Sequence, residues 1–109
     1  MLSAAELAEC KPHALDFAGR AHWRVRLVAE LVEINAMHLR AETRRAGADI
    51  ELQGALEQGS LLRGAGGVTE LRQALSAAEA QLDALEQQRE ELLAMLDAVN
   101  AAEAGGRLS

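Results

Sequence analysis

Aromatic rings are nearly absent from this sequence: its 109 residues include one Phe, one Trp and no Tyr. Platforms that stack single-stranded bases need several such rings, so the composition argues against that function. Only one proline, Pro12, interrupts the chain, which leaves almost all of it free to be helical. The lone cysteine, Cys10, excludes an internal disulfide and suits a reducing compartment. Lysine is also scarce, with Lys11 the only one among eleven basic residues. This Arg-over-Lys, Ala-rich bias matches a high-GC bacterial coding sequence. No apolar run approaches the ~20 residues of a membrane span. The opening residues Met1 to Glu6 lack the basic and apolar regions of a secretory signal. The expected location is therefore the cytoplasm.

What the sequence has in quantity is Ala, Leu and Val in helical spacing. Between Thr69 and Ala102, Leu71, Leu75, Ala78, Leu82, Leu85, Arg89, Leu92, Leu96 and Val99 recur at steps of four and three. That is a heptad seam, by which a helix lays one narrow apolar edge against another helix. Arg89 is its irregular member, and two copies would repel in a parallel dimer, so the seam favours an antiparallel neighbour. Leu93 and Met95 widen it, as in a bundle with more than one neighbour.

Charge is divided between the halves. The net charge of −6 splits into +1 over residues 1–48 and −7 over residues 49–109. The halves are complementary, within the fold or across a self-interface. An acidic chain lacks the basic field that phosphate contacts require, so nucleic acid is a poor fit as a partner.

The remaining segments read as helix. Ser3 followed by Glu6 is a capping-box pattern, which predicts a helix over about 3–11. Pro12 predicts the start of a second helix over 12–46, ended by Gly47. Asp49 predicts a cap for a third over 49–63, weakened by Gly54 and Gly59. Should Gly47 not stop the second helix, residues 13–63 would form one long bent rod. Gly64-Ala-Gly66-Gly67 predicts a reversal, with Thr69 capping a helix over 69–102 and a disordered tail over 104–109. The second helix carries two apolar arcs. One holds Ala14, Phe17, Ala18, Ala21, Val25, Val28, Ala29, Val32, Ala36 and Leu39; the other holds Leu27, Leu31 and Ile34, with His38 in line. A surface helix of a monomer has one apolar face. Two arcs imply neighbours on both sides.

Little in the sequence points to chemistry. Cys10 and His13 form a C-x-x-H pair that could contribute two zinc ligands, but no second cluster completes a site. His38 and Glu42 sit four apart on one helical face, without the further inward ligands of a di-iron bundle. Gly64 to Gly67 has neither the preceding strand nor the following Lys of a phosphate loop. Trp23, among Arg20, Arg24 and Arg26, suits a protein contact better than a base stack.

These features point to an all-α protein, an antiparallel helical bundle or hairpin with a coiled-coil-like C-terminal helix, completed by oligomerisation. It is expected to be a single domain and a non-enzymatic interaction module without cofactor: an adaptor, a chaperone or an antagonist of a regulator. The partner would be a second copy, another protein, or both. The residues chosen for the contact are Trp23, Leu27, Leu31, Ile34, Leu85, Arg89, Leu92 and Leu96. The alternative is a small metal- or ligand-responsive helical sensor.

Overall fold

The computed structural model describes residues 2–58 and 60–108, with the backbone alone at 60–66 and 106–108. The order of elements is α1 (Ala4–Glu9), a single 3-10 turn (Pro12–Ala14), α2 (Phe17–Gln58) and α3 (Ser60–Leu108). No strand occurs among the described residues, and none of their helices is long and apolar enough to cross a membrane. The expectation of an all-α chain is met.

Local chemistry sets the N-terminal boundaries. The Ser3 hydroxyl accepts from the Glu6 backbone N–H at 3.1 Å, the cap that the Ser-x-x-Glu pattern predicts. Helix α1 stops at Glu9, because the residue before a proline is pushed to extended backbone: Lys11 has φ −115° and ψ 93°. Pro12 does not open the second helix as expected. It opens only the 3-10 turn, and Leu15 is extended again. The cap of α2 is Asp16, whose Oδ1 accepts from the Gly19 N–H at 2.7 Å. Arg20 secures this corner by donating to the Leu15 carbonyl at 2.8 Å.

Three expected breaks are corrected. Helix α2 runs through Gly47 and Asp49 to Gln58, as in the continuous-rod alternative. The backbone of 64–67 is helical, so neither a reversal there nor a Thr69 cap exists. The tail is helical as far as Leu108. A glycine costs a helix ~1 kcal/mol but does not forbid it, and at Gly47 packing on either side outweighs that. Gly47 lies between buried Ala41 and buried Leu52. At the C-terminal end, Asn100 and Glu103 both accept from Arg24, which holds the turns past Ala102 in place. Gly59, the side chains of Leu61 and Leu62, and the last residue of the tail lie outside the described residues.

The described chain falls into two compact units. The first comprises residues 1–35 and 87–109, the second residues 36–86. In the first, α1 and the start of α2 lie with the end of α3. Arg24 pairs with Glu103, Arg26 with Glu6 at 2.7 Å, and the Leu2 N–H donates to Glu30 at 3.0 Å. Its core holds Cys10, Trp23, Leu27, Leu31, Ile34, Leu92 and Val99. The second has Ala41, Leu52, Ala78, Leu82 and Leu85 as its core. There His38 reaches Glu42 on its own helix at 3.1 Å and Glu86 on α3 at 3.3 Å. A neutral imidazole carries one N–H, so it can donate to only one of these carboxylates, whereas the imidazolium donates to both.

Added Cβ atoms at Gly47 and Gly54 would meet nothing within 4 Å. Gly47→Ala and Gly54→Ala are each expected to raise stability by ~0.5–1 kcal/mol in urea unfolding. Gly19→Ala should bring no such gain, because its Cβ would lie 3.0 Å from the capping Oδ1 of Asp16.

Candidate interaction face

Within the first unit, the two arcs of α2 have different fates. The arc of large side chains is used by the chain itself. Leu27 is 0 % exposed and Ile34 1 %, and Trp23 and Leu31 are buried with them. Each such burial contributes ~1.5–3 kcal/mol. The arc of small and β-branched side chains is open. Val25 is 71 % exposed, Val28 45 % and Val32 65 %, and Phe17 stands out near the start of the helix. Ala18 and Ala29 on the same arc are exposed and Ala21 is half-buried. Three valines and three alanines thus form a strip along about four turns of helix that this unit leaves uncovered.

Six of the eight residues expected to meet a partner are therefore committed to internal packing. Trp23, Leu27, Leu31, Ile34 and Leu92 are buried in the first unit and Leu85 in the second. Leu96 is half-buried, and Arg89 is exposed. Trp23 lies with the Arg26 guanidinium 5.1 Å from its ring centre and His22 edge-on at 6.1 Å. Its face is covered and is not presented to a base. Val25, Val28 and Val32 stood in the sequence as one of two arcs, and size could have told the arcs apart. A leucine seam leaves deep gaps that Trp, Leu and Ile fill better than Ala and Val.

The edges of the strip are polar and unlike each other. One carries Arg26 and Glu33, which line an open groove with Leu2, Ala29 and Glu30. The other carries Arg24, held by Asn100 and Glu103, and Asn35. Arg26 is the main reason that the carboxyl of Glu6 is held below its ordinary value near 4.5; the Ser3 backbone and side chain reinforce the effect.

The chemical candidates do not converge. Cys10 is buried, its thiol pushed up by loss of solvent, while His13 is exposed. Among the described residues no three His, Cys, Asp or Glu side chains are grouped to hold a metal ion. A hollow of about 130 Å³ lined by Leu2, Leu7, Ile34, Leu92, Glu30 and Glu91 is small beside the ~300–1,000 Å³ of typical small-molecule sites. No family model matches the chain, and neither does any curated protein or solved structure.

The geometry of this unit sets two expectations for stability. Leu27→Ala should cost ~2–5 kcal/mol in chemical unfolding, while Val25→Ala, two residues away on the open arc, should change stability by less than about 0.5 kcal/mol. The Glu6–Arg26 pair should act as an acid-sensitive clasp. Because folding lowers the Glu6 pKa, its contribution is full above the ordinary carboxylate value and fades as pH falls through the lowered one. The stability difference between wild type and Glu6→Gln, measured by denaturant titration, should therefore be largest near neutrality and shrink below about pH 4.

Proposed function

We propose that this chain is a non-enzymatic protein-interaction module, serving as an adaptor, chaperone or regulator antagonist. Its contact surface is the open arc of α2 in the first unit. The observation that carries this reading is the line of Val25, Val28 and Val32, exposed along one helix beside alanines that let a second helix approach closely. Single exposed apolar residues are ordinary, but an ordered strip at helical spacing is the pattern by which helices recognise helices. The coiled-coil-like packing expected of the C-terminal helix belongs to this reading as well, with the heptad seam of α3 as one side of it and oligomerisation completing the bundle. A single, buried thiol fits a cytoplasmic setting.

The test is site-specific photo-crosslinking in the producing cell. A photoreactive residue replacing Val28 or Val32 should give discrete protein adducts, and one replacing exposed Glu79 should give none above background. Absence of adducts from Val25, Val28 and Val32 alike would remove the reading.

A further inference from the structure

We propose that the occupant of the open arc is a second copy of this chain, docked antiparallel about a two-fold axis beside Ala29 and Glu30; this rests on the reading of that arc as a contact surface. The argument is charge complementarity at the edges. Arg26 and Glu33 lie seven residues apart, two turns along one edge of the strip. In an antiparallel pair this edge meets its own counterpart reversed. Arg26 of each copy then lies beside Glu33 of the other, giving two identical ion pairs, as an isologous interface requires. In a parallel pair the same edge would meet the opposite one, placing Arg26 against Arg24 of the other copy, and like charges oppose that arrangement.

The apolar strip agrees with this axis. With Arg26 level with Glu33, Val28 of each copy falls between Ala29 and Val32 of the other, and Val32 between Val25 and Val28, so a β-branched side chain always faces either its equal or a small residue. No carboxylate or guanidinium stands among Ala18, Ala21, Val25, Val28, Ala29 and Val32 to be buried without a partner, and His22, which borders them beside Ala18 and Ala29, is exposed at the rim. Arg26 already serves Glu6, but a guanidinium has five N–H donors and can bind a second carboxylate. The strip is short, so the contact falls towards the low end of interface sizes and the dimer should dissociate on dilution.

Sedimentation equilibrium of the full chain across concentration should show a reversible dimer. Glu33→Arg replaces both ion pairs with facing cations and should raise the dissociation constant about tenfold. The double exchange Arg26→Glu/Glu33→Arg should recover most of that loss, with circular dichroism confirming an unchanged helix content in each variant. In a Cys10→Ala background, Ala29→Cys should form a disulfide between copies, whereas Ala21→Cys should not, its two sites being about 25 Å apart. A dimer indifferent to Glu33→Arg, or one joined through Ala21→Cys, overturns the antiparallel arrangement. A monomer at all concentrations whose Val28 photoprobe captures a different protein overturns the second copy but leaves the interaction reading standing. A monomer with no adduct from Val25, Val28 or Val32 removes both.

Discussion

Everything in this structure depends on how the bulky side of α2 meets the seam of α3. In the first unit Trp23, Leu27, Leu31 and Ile34 share a core with Leu92 and Val99. In the second, Ala41 and Leu52 share one with Ala78, Leu82 and Leu85. The polar contacts lie outside these cores: Arg24 with Asn100 and Glu103, His38 with Glu86. All of them leave at least one partly exposed group, and such pairs contribute little to stability. Their value is in fixing which residue stands beside which. Apolar burial supplies the free energy of the helix pairing, and the ion pairs set its register.

The same division explains how far the sequence could be read. Fold class was legible because the heptad steps from Leu71 to Val99 and the scarcity of Pro leave no alternative to helix. The Ser3–Glu6 cap was legible because both partners lie within four residues. Helix boundaries were not. Gly47 and Gly64 to Gly67 look like stops when read locally, yet a glycine costs a helix only ~1 kcal/mol, and at Gly47 the burial of Ala41 and Leu52 overrules it. The start of α2 was misplaced for a related reason. Pro12 offers a suitable first-turn backbone, but Asp16 offers an acceptor to a free N–H, and the cap prevails.

The contact face was half legible. Two apolar arcs on one helix were plain from spacing alone, and one of them is covered within the first unit. Which arc the chain would keep for itself is a question of volume. Arcs built from Leu, Ile and Trp offer more area per residue than arcs built from Val and Ala, and the chain's own seam sits at high effective concentration beside them. The larger arc is therefore the one buried by the chain's own helix, and the smaller is left exposed.

On the proposed reading, an open strip of Val and Ala is suited to meeting a partner helix. It is apolar enough to favour a close helix–helix contact and too small in area to drive nonspecific collapse as a leucine strip would. β-Branched side chains lose little rotamer freedom on docking, because one χ1 state already dominates in a helix. Alanines set the distance of approach, which brings the Arg26–Glu33 edge within reach of a facing helix. On the same reading affinity is modest and selectivity resides in the edges, where a neighbour with the wrong charge order leaves Arg26 facing another cation. An outward face that is small, ordered and edged with opposite charges favours, on the proposed reading, reversible, orientation-specific contact, because the large residues are already consumed by internal packing.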